Sequence, residues 1–200
     1  MKLFRLDGGL YQGLTRLADV IILNFIFLIA CLPIFTIGAS FTALYSVTLK
    51  LIEQEETYVL RDFWKSFRSN FFQSTKMLGV IITLFAGLMG LFRLIDTVNI
   101  ITYPFLLLLT LLIFICLYLF PILARFKMNN KDTFKWAFYM SSKNVAATII
   151  MFVIVGGGTF ALPILLPQAI VLWLTMGIAG PAYLSSHFIT RTFNKYDGGS

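Results

Sequence analysis

The side chains that could do chemistry in this 200-residue chain are few and scattered. His187 is the only histidine, and it stands beside Ser185 and Ser186. Serine catalysis needs a base oriented by a carboxylate and a nucleophile held on a sharp turn, and neither can be placed in this sequence. Cys31 and Cys116 lie inside apolar runs and are interpreted as packing residues. We therefore expect no catalytic residue, no cofactor site, no metal site and no enzyme activity.

Asn24 is the polar residue that most needs an explanation, because all the other residues from Val20 to Ile26 are apolar. An unpaired amide in such surroundings is costly, so we expect a partner on another helix. The hydroxyl side chains that follow along the chain are the candidates: Thr36, Ser40, Thr42 and Tyr45. Bonds of this kind between membrane helices contribute roughly 0.6 to 2 kcal/mol. We interpret these five residues as interhelical polar contacts rather than as a ligand site.

Carboxylates in the middle of apolar segments would indicate a proton or sodium pathway. No Asp or Glu occupies such a position here. Arg16 and Asp19 are three residues apart near one end of an apolar stretch, where a local ion pair on one helix face explains them. The pattern counts against an ion-driven pump.

Composition places the whole chain in a lipid bilayer. Hydrophobic residues make up 58% of the chain and charged residues 12%, whereas soluble domains have about half and about a quarter. The mean hydropathy of +0.86 is spread along the length, which indicates several spans. A net charge of +7 would hint at nucleic acid in a soluble protein, but membrane topology explains it here. We expect the bilayer as a partner and no nucleic acid.

Four apolar stretches each approach the roughly 20 residues that a spanning helix needs. They are Met77 to Leu94, Tyr103 to Ala124, Val145 to Leu162, and Ile164 to Ile189, the last interrupted by Pro167 and Pro181. The short proline-flanked connection between the last two predicts a helical hairpin. These stretches favour helices, because a helix satisfies its own backbone hydrogen bonds in lipid.

The stretch from Leu17 to Ile52 is about twice the length of one span and contains Pro33 to Ser40 at its middle. If it forms a hairpin, fifteen of the sixteen Lys and Arg residues share one side, with Arg93 alone on the other. A single crossing gives a much weaker bias. Because short basic loops stay in the cytoplasm, we predict the hairpin. A re-entrant or tilted helix over Gly38 to Ile52 is the alternative.

These patterns predict an all-α fold: a polytopic transmembrane bundle of about six membrane segments in three hairpins. We expect a single helical membrane domain over residues 1–197, in the cell membrane, with both termini cytoplasmic. Residues 198–200, Gly-Gly-Ser, have the composition of a linker and are left out of this domain.

Two basic aromatic segments lie between the hairpins and predict short interfacial cytoplasmic helices. Aromatic rings favour the headgroup level and basic side chains favour anionic lipid. The same segments are predicted docking surfaces, and their residues are Phe63, Trp64, Phe67, Arg68, Asn70 and Phe71 in the first, and Phe134, Lys135, Trp136 and Phe138 in the second.

Several of these motifs together resemble the YesL family of bacterial integral membrane proteins, over nearly the whole chain. The motifs are Asn24, Pro33, Thr36-Ile37-Gly38-Ala39-Ser40, Ala43-Leu44-Tyr45, Phe63-Trp64 and Phe67-Arg68-Ser69-Asn70-Phe71. Members of that family are helical, of about this size and mostly of unknown function, and their genes often lie beside carbohydrate uptake systems of the ATP-binding-cassette (ABC) type.

The resemblance implies a link to sugar import. We therefore expect a non-enzymatic accessory or regulatory membrane subunit, with ABC permease subunits or a second copy of the chain as partner. A small-molecule carrier or channel in its own right is the alternative. A membrane enzyme that requires His187 comes third.

Overall fold

The computed structural model describes residues 9–93 and 102–197, in which every regular element is helical. The longer helices are α1 (Gly9–Ala30), α2 (Ile37–Ile52), α3 (Val59–Arg93), α4 (Thr102–Arg125), α5 (Asn130–Lys143), α6 (Val145–Gly156), α8 (Ile170–Met176) and α9 (Ala179–Asp197), with the single turn α7 (Leu162–Leu165) between α6 and α8. A short 3₁₀ turn, Ile34–Thr36, precedes α2.

Five helical stretches in the described residues are long and apolar enough to cross a bilayer, and a sixth is counted if the bent pair α8 and α9 forms one span. The length and apolar composition of these helices confirm the predicted all-α fold with about six membrane segments. Lys2, Arg5 and the connection at 94–101 entered the topology prediction and lie outside the described residues, as does the tail at 198–200 that was set aside as a linker.

The first two helices form the predicted hairpin. The Arg16 guanidinium, near the start of α1, donates to the carbonyl of Leu51 at the end of α2, so the two helices run antiparallel. Pro33 takes an extended conformation between them, as expected for a residue that stops a helix. Of the five candidate spans, α2 has the most buried apolar window, at 67%. It contacts α1, α3, α4 and α9, so the partly polar second limb is the central helix of the bundle.

The first basic aromatic segment is not a separate helix, as the sequence analysis expected, but the first half of α3, which runs unbroken for 35 residues. The sequence from Phe72 to Met77 contains no Gly or Pro that would end a helix, so the helix continues into the apolar stretch. The second basic aromatic segment does form a helix of its own, α5, which Asn129 caps by accepting a hydrogen bond from the Asn130 backbone N–H.

The two halves of α3 have different neighbours. The first half packs against α2, where a Cβ added to Gly38 would lie 2.6 Å from the Ser74 carbonyl oxygen, so the backbones approach closely. The second half runs beside the start of α4, and the rings of Phe92 and Phe105 stack with centroids 4.8 Å apart. Only 6% of its apolar window is buried, which suits a helix facing lipid.

The last membrane segment is broken, and the break lies at Gly177 rather than at either proline. α8 and α9 meet there at a bend of 58°. Pro181 falls in the first turn of α9, where its missing N–H costs no helical hydrogen bond. The preceding turn occurs as predicted near Pro167, where α7 ends at Leu165 and Leu166 leaves the helical conformation.

Candidate functional site

Charged residues from four helices meet at one end of the bundle. Arg125 at the end of α4 forms an ion pair with Glu53, which follows α2. Lys50 near the end of α2 pairs with Asp62 in the first turn of α3, at 3.4 Å. Together with Arg16, these five residues define the charged end of the protein. Arg93 lies at the other end of α3, roughly 50 Å away at 1.5 Å per residue.

A basic pocket of about 530 Å³ opens at the charged end between α2, the first half of α3 and the connection that follows α4. Its cationic lining residues are Lys50, Lys65, Arg125 and Lys127, and Asp62 is the one carboxylate among its lining residues. Asp62 and Glu53 each pair with one of these cations. The basic pocket therefore keeps an excess of positive charge at neutral pH.

Hydrogen bonds between side chains and backbone build the wall of the basic pocket. The Gln73 amide donates to the Met128 carbonyl at 2.7 Å, which ties the connection after α4 to α3. The Asn70 amide donates to the Ser66 carbonyl at 3.1 Å. Asn70 was predicted as part of a docking stripe, and the structure places it in this wall instead.

A second cavity, of about 690 Å³, lies between the start of α1, the end of α2 and α9. Arg16, Asp19, Glu55 and His187 contribute charged or titratable groups, and uncharged polar side chains complete much of the lining: Gln12, Thr15, Gln54, Thr57 and Tyr183. We call it the His187 cavity. Its mixture of both charges with amides and hydroxyls suits a polar, uncharged ligand.

The serines beside His187 serve packing. Ser185 and Ser186 are fully buried, and both hydroxyls donate to the Ala182 carbonyl, at 2.9 and 2.8 Å. Ser186 also bonds the Thr48 hydroxyl of α2 at 2.8 Å. His187 itself is exposed. In residues 9–93 and 102–197, no group of three or more His, Cys, Asp or Glu side chains comes together to hold a metal.

Asn24 is fully buried and is bonded to the break between α8 and α9. Its amide nitrogen donates to the Leu174 carbonyl at 2.8 Å, and its amide oxygen accepts from the backbone N–H groups of Ile178 and Ala179 at 3.1 and 2.9 Å. The expectation that the partner is a hydroxyl of the returning helix is thereby corrected. Where a helix breaks, backbone N–H and carbonyl groups lose their partners within the helix. Asn24 pairs with three of these groups.

The four hydroxyl residues expected to bond Asn24 have other partners. Thr36 donates to the Ala30 carbonyl at 2.5 Å and so closes the hairpin turn. Ser40 donates to the Thr36 carbonyl of the preceding turn at 3.0 Å. The Thr42 and Tyr45 side chains do bond between helices, Thr42 to the Ser74 hydroxyl of α3 at 2.8 Å and Tyr45 to Ser185 of α9.

The residues predicted for docking divide into buried and exposed groups. Phe63 is fully buried and belongs to the core rather than to a docking surface, because its face of α3 packs inward. Phe67, Asn70, Phe71 and Phe134 are partly buried. The exposed ones are Trp64 and Arg68 on α3, and Lys135, Trp136 and Phe138 on α5.

Sequence reasoning missed the buried hydroxyls of Thr48 and Ser74 and missed both cavities. A hydroxyl in an otherwise apolar helix is a usable signal for an interhelical bond. No local sequence pattern indicates the basic pocket, because its lysines come from segments far apart in the chain.

In the part of the chain that the structure describes, the protein is all-helical, with five helices of membrane-spanning length and hydropathy and a sixth such segment if α8 and α9 count as one span. Residues 20–96 match the model of a family described as a protein of unknown function, DUF624. The match begins in α1 and covers α2 and α3. It therefore includes the hairpin of α1 and α2 and the close packing of α2 against α3 at Gly38. No curated protein and no solved structure matches this chain.

Proposed function

We propose that this protein is a non-enzymatic accessory or regulatory membrane subunit that assembles with the permease of a carbohydrate ABC uptake system. The exposed face of α5 carries the proposal. Lys135, Trp136 and Phe138 are exposed on this helix, which begins five residues after Arg125 of the charged end. Exposed aromatic side chains beside cations are typical of protein interfaces and of membrane surfaces.

The identity of the partner follows from the resemblance to the YesL family, with which the matched family of unknown function is consistent. The genes of that family often adjoin carbohydrate ABC systems. The buried polar groups support an accessory role over transport, because Asn24, Thr36 and Thr42 are bonded to groups of the protein itself. Side chains engaged in this way stabilise helix packing.

The test is purification from native membranes in a mild detergent, followed by mass spectrometry of the proteins that elute with the chain. We expect a sugar permease to co-purify with wild type and to be lost from the triple variant Lys135→Ala, Trp136→Ala, Phe138→Ala. Tyr103→Ala, at the exposed start of α4, is the matched control and should keep the permease. A homogeneous monomer or homodimer without any permease would refute the assignment.

We also propose that the charged end faces the cytoplasm of a bacterial cell, because short basic segments are retained there. A cysteine introduced at Glu55 or Lys131, in a background without Cys31 and Cys116, should resist an impermeant thiol reagent in intact cells and react after lysis. Labelling of either position in intact cells would reverse the orientation.

A carrier or channel is the second candidate function, and the His187 cavity is the observation that favours it. The cavity is large enough for a small polar solute, since ligand pockets range from about 300 to 1,000 Å³. Liposomes containing only this protein decide the matter. Flux of a labelled sugar above that of protein-free liposomes would favour the carrier, and its absence would favour the accessory subunit.

A further inference from the structure

We propose that the basic pocket binds a phosphate-bearing anion, either the headgroup of an anionic phospholipid or a soluble phosphate compound. The proposal goes beyond the accessory role and stands on the construction of the pocket. Three separate segments contribute its cations: α2, the first half of α3, and the end of α4 with the residues that follow it. Cations that converge on one concave site from several segments indicate a shared anionic ligand.

The charges inside the basic pocket are only partly compensated. Lys50 and Arg125 each have a carboxylate partner. Lys65 and Lys127 also line the pocket, and in the described residues neither has a carboxylate within 4.0 Å. Both side chains are exposed and reachable by a ligand. A bound phosphate would accept hydrogen bonds from these two ammonium groups, which are strong charge-assisted donors.

Uncharged groups favour a phosphate ester over a bare inorganic ion. Ser46, Ser69, Asn70 and Gln73 line the same pocket and offer hydroxyl and amide groups. The Gln73 amide nitrogen has a second hydrogen beyond the one it donates to Met128. At about 530 Å³ the pocket has room for the group esterified to the phosphate, such as a glycerol or a sugar.

The position at the charged end explains how the ligand would arrive. Basic pockets between membrane helices attract anionic headgroups, and this attraction weakens within a Debye length of about 8 Å at physiological ionic strength. A lipid would enter from the bilayer, and a soluble compound from the aqueous phase. The shared chemistry is the phosphate group.

The experiment uses the full chain in nanodiscs of phosphatidylcholine, with and without phosphatidylglycerol. Native mass spectrometry measures the phosphatidylglycerol that remains bound, and titration of glycerol 3-phosphate into phosphatidylcholine nanodiscs measures the soluble source. The pocket variant is Lys65→Gln with Lys127→Gln. The matched control is Lys131→Gln with Lys143→Gln, which removes the same charge from exposed positions on α5 that do not line the basic pocket.

We expect the pocket variant to bind at least about tenfold more weakly than wild type, since it loses two charge-assisted contacts at partly exposed sites. The control should bind within about twofold of wild type, and Lys65→Arg with Lys127→Arg should keep binding because the charge remains. If the pocket variant retains less phosphatidylglycerol than wild type, the ligand is the lipid headgroup. If instead the pocket variant binds glycerol 3-phosphate more weakly than wild type, the ligand is the soluble compound. Equal binding by wild type and the pocket variant, or no binding of either probe to wild type, would overturn the proposal.

Discussion

Replacing Asn24 with leucine tests whether the bond between α1 and the α8–α9 break stabilises the bundle. Leucine has the same branched skeleton of four side-chain heavy atoms as asparagine but is bulkier, so all three hydrogen bonds are lost and any overpacking adds to the cost. Loss of a buried partner costs about 1 to 3 kcal/mol per group in soluble proteins, and bonds between membrane helices average about 0.6 kcal/mol. For three bonds at a fully buried site, we expect Asn24→Leu to lower the free energy of unfolding by roughly 2 to 4 kcal/mol.

The assay is equilibrium unfolding in mixed micelles with a rising fraction of SDS, followed by circular dichroism. Hydrogen exchange adds a local measure, because the amides of Ile178 and Ala179 lose their acceptor and should exchange at least about tenfold faster, a factor that corresponds to 1.4 kcal/mol. Phe25→Leu, at an exposed position on the same helix, is the control and should change stability little. The reasoning fails if Asn24→Leu matches wild type within about 0.5 kcal/mol and both amides keep their protection.

Two further substitutions test the packing of α2 and the charge of the basic pocket. Gly38→Ala forces a methyl group against the Ser74 carbonyl and should cost about 1 to 3 kcal/mol in the same unfolding assay, whereas Gly87→Ala, which meets no atom within 4 Å, should be neutral or slightly stabilising; equal effects of the two would contradict the close approach. Glu53→Gln removes the carboxylate paired with Arg125 and should tighten phosphate binding by about two- to fivefold at low salt, with the gain fading at high salt. Weaker binding in that variant would show that the ion pair is needed to shape the pocket.

The position of α2 connects these predictions with the proposed function. α2 contacts α1, α3, α4 and α9, so we expect a displacement of its end to change its packing against several helices. Its last turn carries Lys50, which lines the basic pocket, and Leu51, which lines the His187 cavity and accepts the bond from Arg16. Both cavities therefore border the same end of the same central helix. If the proposed accessory role is correct, we expect ligand binding to alter helix packing through this end of α2.

Local sequence was sufficient for the helical class, for the approximate number of apolar membrane segments and for the turn at Pro33. These features depend on short-range physics: a run of about 20 apolar residues, and a proline that stops a helix. The prediction of a separate helix before Met77 was wrong. No residue there ends a helix, so α3 continues through this region without a break.

The partners of the polar residues depended on the tertiary structure. Asn24 bonds to backbone groups about 150 residues away, and nothing in its neighbouring sequence distinguishes a broken helix from a hydroxyl as the partner. Likewise, Lys65 and Lys127 share a pocket only because α3 and α4 pack side by side. Composition and periodicity determine which segments are helices and which faces are apolar. Contacts between distant segments arise from packing, and they alone decide where an amide finds its partners and where positive charges converge.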